Sequence, residues 1–283
     1  MARTSAPPPT GAGGGRRRAA AFFWRAGLLL VGLLLVCAVS PASPRSPEAD
    51  QQPTPDAARL AVMQTVALPA AAHGLDGRLE LLADTRLTAA LRDELWGTGG
   101  EGEEPGSGAP ASWRAAGFAS VVDLQPAMLQ TVDSAGAVRD RWPLERPLAR
   151  IEAETLAVPG LTAWLVTVDY TTAFGSYSGP ITFLFAVQDG RLRGLEAADE
   201  SGATVPISLM RSLKTDWRLV PRRGGDGQDI VSVATRPNLE QPGSFVVMYR
   251  RISFDGNRWT RRLRLEAGFW EADGDFPPLE KFP

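Results

Sequence analysis

The sequence predicts a mainly β domain, folded as a curved antiparallel sheet or a two-sheet sandwich with one or two short helices. From Gly117 onward, apolar and polar residues alternate with period two, which is typical of half-buried strands. Short turn sequences such as Pro159-Gly160, Asp189-Gly190 and Asp255-Gly256-Asn257 separate the apolar segments. Short strands joined by tight turns favour an antiparallel meander over βαβ units. A partial propeller-like meander is the alternative.

Seven segments carry this alternating pattern. They are residues 149–158, 161–171, 181–188, 191–198, 229–235, 245–254 and 258–266. In the second and third segments one side of the strand is strongly apolar, and we expect both of these sides to face a core. These rows are Trp164, Val166, Val168 and Tyr170, and Ile181, Phe183, Phe185 and Val187.

Two segments have helical spacing. A helix is predicted over 84–96, with Asp84 as its N-cap and Leu87, Leu91 and Leu95 on one face. Leu209, Leu213 and Trp217 have similar spacing and suggest a second short helix over 208–217.

The N-terminal segment is typical of exported proteins. Arg16, Arg17, Arg18 and Arg25 precede fourteen uncharged, mainly apolar residues over 26–39. A run of this length matches the hydrophobic region of a signal peptide, whereas a membrane-spanning helix needs about 20 residues. Extending the run back to residue 19 places Arg25 near the end of the span, where it can reach the membrane interface.

The processing of this segment stays open between three alternatives. Ser40-Pro41-Ala42 is a candidate cleavage site of the small-x-small type, which would leave a cleaved signal peptide. An uncleaved membrane anchor is the second possibility. The third is lipidation at Cys37, although Val36 is bulky where lipoprotein motifs have a small residue.

The chain accordingly divides into three parts. Residues 1–42 are a signal peptide or membrane anchor, and residues 43–57 are a spacer rich in Pro, Ser and Gln. Residues 58–283 form the exported β domain, with a flexible acidic insertion at about 97–111.

Composition excludes several classes of function. Without residues 1–42, the chain has 25 basic and 32 acidic residues, so a nucleic-acid partner is not expected. The exported part has no cysteine and the chain has a single histidine, His73. Zinc and transition-metal sites therefore have too few ligands, and we expect no metal and no cofactor. The missing disulfides favour a bacterial envelope protein.

Two surfaces are candidates for binding. The loop over 170–180 carries Tyr170, Phe174 and Tyr177 among glycine and hydroxyl residues, a composition that suits stacking against a sugar, peptide or partner surface. The hairpin over 245–266 is rich in arginine, and strand alternation places three of its arginines opposite the apolar face. These are Arg251, Arg262 and Arg264, which would suit an anionic envelope polymer.

Three carboxylates are candidates for catalysis. Glu152 and Glu154 are predicted to share a strand face, and Asp169 adjoins Tyr170. Two acids facing one cleft are the requirement for glycoside hydrolysis.

We therefore predict an exported envelope protein that acts as a non-enzymatic binding module for a protein, glycan or small ligand. It would lie in the periplasm, at the cell surface or at the membrane. A carboxylate-based hydrolase of envelope carbohydrate is the first alternative, and a purely structural domain is the second.

Overall fold

The body of the fold is a stack of three β-sheets. The computed structural model describes residues 59–68, 74–96, 111–158, 160–171, 176–223 and 225–283. Its strands are β1 (Leu60–Leu68), β2 (Gly77–Asp84), β3 (Met128–Asp133), β4 (Val138–Pro143), β5 (Ala149–Val158), β6 (Leu161–Val168), β7 (Ile181–Gln188), β8 (Arg191–Gly194), β9 (Glu196–Ala198), β10 (Thr204–Pro206), β11 (Ser208–Met210), β12 (Thr215–Pro221), β13 (Gln228–Pro237), β14 (Phe245–Phe254) and β15 (Trp259–Ala267). The helices are α1 (Ala89–Leu95) and α2 (Ala111–Ala115), with 3₁₀ turns at Val121–Asp123 and Leu279–Lys281.

Among the described strands, pairing is antiparallel with one exception. The first sheet has the order β1-β2-β3-β4, and the second has the order β11-β7-β6-β5 with β8 paired to β7. The third sheet has the order β10-β9-β15-β14-β13-β12, in which β15 and β9 run parallel. The predicted class, mainly antiparallel β with short helices, is confirmed.

The second sheet is buried on both faces. Trp164 and Val166 on β6, with Phe185 on β7, pack against Leu79, Leu81 and Leu129 of the first sheet. The opposite face of the same strands packs against the third sheet. That face carries Ala163, Leu165 and Leu184, which meet Trp217, Ile230, Ile252 and Trp259. Both apolar rows predicted on β6 and β7 share the face toward the first sheet, because Trp164 pairs with Phe185 and Val166 with Phe183.

The first helix begins later than the sequence predicts. Asp84 is the last residue of β2, and the N-cap is Thr88, whose hydroxyl accepts a hydrogen bond from the Leu91 amide. The prediction that Asp84 caps the helix is wrong, because its carboxylate is instead bound by Arg86. The three leucines predicted on one face, Leu87, Leu91 and Leu95, are buried together with Trp113 of α2.

The prediction of a second short helix over 208–217 is also wrong. Residues 208–217 form β11 and the start of β12, joined by a turn in which Ser212 and Thr215 bridge. Leu209 and Trp217 are buried in the core between the second and third sheets, whereas Leu213 at the turn is 62% exposed. Leu209 and Trp217 are eight residues apart and each lies on the inner side of its own short strand, so together with Leu213 in the turn they reproduce helical spacing.

The C-terminal segment covers the outer face of the third sheet. Phe282 is 1% exposed and packs edge-on to Tyr249 of β14, with 5.5 Å between ring centroids. Phe276 stacks on Phe282 at the same separation. Lys281 reaches back to Glu266 on β15, with 2.6 Å between Nζ and Oε2.

The buried carboxylate of Asp84 predicts a pH dependence of stability. Burial raises its pKa, but hydrogen bonds from Arg86 and from the Gln125 amide outweigh that effect and lower the pKa from 3.8 to about 2. Because the folded pKa lies below the unfolded one, the ionised group stabilises the fold above pH 4. That contribution, about 2 kcal/mol, is lost as the pH falls toward 2.

The measurement is urea unfolding of the wild type and of Asp84→Asn between pH 3 and pH 7. The wild type is expected to be the more stable protein at pH 7, and the difference should shrink as the medium becomes acidic. A difference that stays constant with pH would contradict this role of Asp84.

Several predictions fall on residues outside the described ranges. These are the signal or anchor over 1–42, the spacer over 43–57, Cys37, His73, Phe174 and residues 97–110 of the acidic insertion. Within the described ranges, no helix has the length and apolar character needed to cross a bilayer.

Candidate binding pocket

A pocket opens where the edge of the first sheet meets the second sheet. Its volume is about 290 Å³, at the lower end of the range for small-ligand sites. The lining is mostly apolar and contains four aromatic rings and two carboxylates. It consists of Trp142, Pro143, Leu144, Glu145, Val168, Tyr170, Phe183, Leu184, Phe185, Gly194, Leu195, Glu196, Pro206 and Ile207.

Backbone pairing along β7 builds one wall of this pocket. The β11 strand pairs with residues 181–183, and β8 pairs with residues 185–188. Between them, the Leu195 amide donates to the Leu184 carbonyl at 2.8 Å, and the Ile207 amide donates to the Leu195 carbonyl at 2.9 Å. The chain after β8 is therefore held against β7, which places Glu196 at the pocket.

The opposite wall comes from β4 at the edge of the first sheet. Trp142 pairs with the buried Leu129, so its ring lies on the face toward the second sheet. It meets Phe185 edge-on, with 5.4 Å between centroids and 76° between ring planes. The ring also lies over Gly194, where an added Cβ would approach it to 3.6 Å. Trp142 nevertheless remains 39% exposed, which leaves part of its surface free for a ligand.

Tyr170 contacts both an aromatic ring and a carboxylate of the pocket. Its ring meets Phe183 edge-on at 6.3 Å between centroids, and its hydroxyl donates to Oε2 of Glu145 at 2.8 Å. Burial, together with this hydrogen bond to Glu145, raises the pKa of Tyr170 well above its usual value. The phenol is therefore a permanent hydrogen-bond donor to the carboxylate at physiological pH. The guanidinium of Arg146 lies 5.3 Å from the centroid of the same ring.

The predicted aromatic loop is only partly represented at the pocket. Tyr170 lines it, whereas Tyr177 is 41% exposed and is not among the lining residues. Phe174 lies outside the described residues. Of the two described residues, Tyr170 and Tyr177, the structure brings Tyr170 to the pocket.

The arginine-rich hairpin has the two faces expected from its alternation, but Arg251 is not at the surface. Arg251 is 6% exposed and pairs with Asp229 at 2.9 Å between Nη1 and Oδ2. Arg264 pairs with Glu266 at 2.6 Å, while Arg262 is exposed and forms no ion pair with a described residue. The three residues therefore do not present a common basic surface.

The half-buried Arg250 lies on the other face of this hairpin. Burial and the repulsion of Arg261 and Arg236 lower its pKa to about 10. Nη2 of Arg261 lies 3.5 Å from Oδ2 of Asp199, so these two residues form an ion pair.

The candidate catalytic carboxylates are not part of the pocket lining. Glu152 is hydrogen-bonded to Arg150 at 2.8 Å and to the hydroxyl of Thr167. The register of β5 against β6 shifts between Ile151 and Thr155, which breaks the simple alternation that was to align Glu152 with Glu154. Asp169 is buried and accepts a hydrogen bond from the Thr171 amide at 2.8 Å.

Sequence reasoning missed most of the residues that form the pocket. It placed Phe183 and Phe185 in a core and did not consider Trp142, Glu145 or Glu196. A signal for Trp142 was present, because the tryptophan stands beside Arg139, Asp140 and Arg141 in a polar strand that has little other apolar content. Tryptophan is enriched at interfaces, where its apolar ring and its polar N–H have different surroundings.

The described part of the chain holds no cluster of three His, Cys, Asp or Glu side chains arranged to bind a metal ion. The chain matches no protein-family model, no curated protein and no solved structure.

Proposed function

We propose that this chain is a non-enzymatic binding module of the bacterial cell envelope, and that it holds a small ligand or one side chain of a partner in the aromatic pocket. The observation that carries the proposal is the partly exposed Trp142 at the mouth of a cavity whose walls are aromatic. Tryptophan and tyrosine are enriched at binding interfaces, because their rings bury a large apolar area while a polar group stays hydrated.

The N-terminal segment supports the envelope location. Its basic flank and apolar run are those of a segment that enters a translocation pathway, with the following chain placed outside the cytoplasm. The location is testable separately from the pocket, by fractionating cells that express the full-length chain. The proposal expects the chain in the envelope fraction, and recovery in the cytoplasm alone would contradict it.

The size of the pocket limits what it can hold. A cavity of about 290 Å³ accommodates a ligand of one ring, or one long side chain, rather than an oligosaccharide. The glycan hypothesis is therefore less favoured than a small molecule or a peptide side chain.

The hydrolase alternative keeps one specific observation in its favour, because two carboxylates, Glu145 and Glu196, line the same cavity. Both residues are exposed to solvent, whereas the acid of a glycosidase is held in a desolvated setting. The geometry therefore supports binding better than hydrolysis.

A ligand-observed NMR experiment tests the proposed pocket. A mixture of neutral, cationic and sugar fragments is added to the full-length protein, and saturation transfer identifies the fragments that bind. Replacing Trp142 by alanine is expected to lower the affinity of the binding fragments at least about tenfold, which corresponds to about 1.4 kcal/mol of ring contact. Leu239→Ala is the matched control, since Leu239 is 94% exposed and lies outside the pocket. Binding that Trp142→Ala leaves unchanged would show that the pocket is not the site.

A further inference from the structure

The pocket combines two groups that attract positive charge. Four of its lining residues are aromatic, and two are glutamates. No arginine, lysine or histidine is among the lining residues, all of which lie in the described part of the chain. The cavity is therefore electronegative through its ring faces and its carboxylates together.

The rings contribute through their charge distribution. The face of an aromatic ring carries a negative potential, and a desolvated cation over a tryptophan face is bound more strongly than over tyrosine or phenylalanine. Trp142 and Phe185 meet edge-on, with 76° between their planes. Two rings in this arrangement form a corner, which two faces of a compact cation can contact at once.

Two carboxylates line the same cavity. Glu145 is fixed by the hydrogen bond that it accepts from Tyr170, at 2.8 Å. This hydrogen bond holds the carboxylate in place beside the ring of Tyr170. Glu196 forms no ion pair with a described residue and is exposed, which leaves its charge available to a ligand.

The neighbourhood already contains one contact of the proposed kind. The guanidinium of Arg146 lies 5.3 Å from the ring centroid of Tyr170, although Arg146 is not a lining residue. A cation beside an aromatic ring is the contact expected for a positively charged ligand in the pocket.

We propose that the pocket binds a small organic cation, in which an ammonium group carries methyl or methylene substituents. This inference rests on the proposed function, because it identifies the class of ligand for the same pocket. The aromatic corner holds the apolar substituents, and Glu145 and Glu196 neutralise the charge.

A neutral sugar suits this lining less well. Burying hydroxyl groups in an apolar cavity is unfavourable unless each of them finds a hydrogen-bond partner. The two glutamates are the only charged side chains of the lining, and when ionised they accept hydrogen bonds from hydroxyl groups but donate none to the hydroxyl oxygens. A methylated ammonium ion has no hydroxyl requirement of this kind.

The test compares choline with its neutral isostere 3,3-dimethyl-1-butanol, by NMR titration of the full-length protein. Choline is expected to bind at least about threefold more tightly, and added salt should reduce the difference. Glu196→Gln and Glu145→Gln should each weaken choline binding about two- to fivefold. Glu240→Gln removes an exposed glutamate outside the pocket and should leave choline binding unchanged.

Each outcome bears on the inference. Equal affinity for choline and the neutral isostere, or choline binding unaffected by both pocket glutamine variants, would overturn the cation proposal. If other fragments still bound in a Trp142-dependent way, the proposed function would stand while this inference failed. Absence of any Trp142-dependent binding would reject both.

Discussion

Replacing Asp229 by asparagine is expected to lower the free energy of unfolding by about 3–5 kcal/mol. Asp229 and Arg251 lie on adjacent strands and form a buried ion pair, with side chains that are 4% and 6% exposed. Removing the carboxylate leaves the guanidinium in a desolvated place without its counter-charge. Arg251→Met should be similarly destabilising, because it leaves the buried carboxylate of Asp229 without its positively charged partner. Urea unfolding at pH 7 measures both variants.

The double variant Arg251→Met with Asp229→Leu is expected to recover most of the loss. Within the described residues, Nε and Nη2 of Arg251 and Oδ1 of Asp229 have no hydrogen-bond partner, so the pair is incompletely satisfied. Replacing such a pair by apolar side chains of similar volume is often neutral or stabilising. A double variant that is as unstable as the sum of the single variants would contradict this account.

An exposed ion pair of the same hairpin provides the control. Arg264 and Glu266 are separated by 2.6 Å, but the Arg264 side chain is 49% exposed. Arg264→Met should cost no more than about 1 kcal/mol, because solvent screens surface charges. A comparable loss at Arg264 and Arg251 would mean that burial is not what makes the inner pair important.

Phe282→Ala is expected to destabilise the protein by about 3–5 kcal/mol, although Phe282 is the second residue from the C-terminus. Its ring is 1% exposed and contacts both Tyr249 and Phe276. The loss arises from the cavity and from the exposed outer face of the third sheet. Chemical unfolding followed by circular dichroism measures the effect.

Leu279→Ala is the matched control for this prediction. Leu279 begins the same terminal 3₁₀ turn but is 39% exposed, so its removal should cost less than about 1 kcal/mol. A Phe282→Ala variant that is as stable as Leu279→Ala would show that the C-terminal segment frays, as chain ends usually do.

The third sheet illustrates what the alternation of side chains along a strand can and cannot specify. Alternation correctly assigned Arg251 to the face opposite the apolar residues of the hairpin, because strand side chains alternate by geometry. Alternation does not specify whether that face meets solvent. The C-terminal segment packs on it, with Phe282, Phe276 and Trp270 in contact with the sheet. The outer face of the third sheet, which looks polar in the sequence, is therefore partly buried.

The incorrect prediction of Asp84 as a helix N-cap has a related cause. Asp84 is an effective N-cap residue in isolation, yet in the fold its carboxylate accepts hydrogen bonds from Arg86 and from the Gln125 amide, which is 41 residues away. Local propensity is a weak prior where a distant partner competes for the same group. The leucines at 87, 91 and 95 were assigned correctly to one buried cluster. Leu91 and Leu95 lie one helical turn apart in the first helix, whereas Leu87 lies just before its N-cap.

The mainly antiparallel β class and the strands over 149–158, 181–188 and 245–254 follow from the sequence, because alternation and turn residues are local properties. Tyr170 was also indicated as a candidate binding residue. The stacking of three sheets with the second one in the middle, and the meeting of Trp142, Tyr170, Phe185 and Glu196 in one cavity, depend on packing between distant strands. These residues come from strands and connections up to 54 positions apart, and no local pattern specifies which strand edges become neighbours.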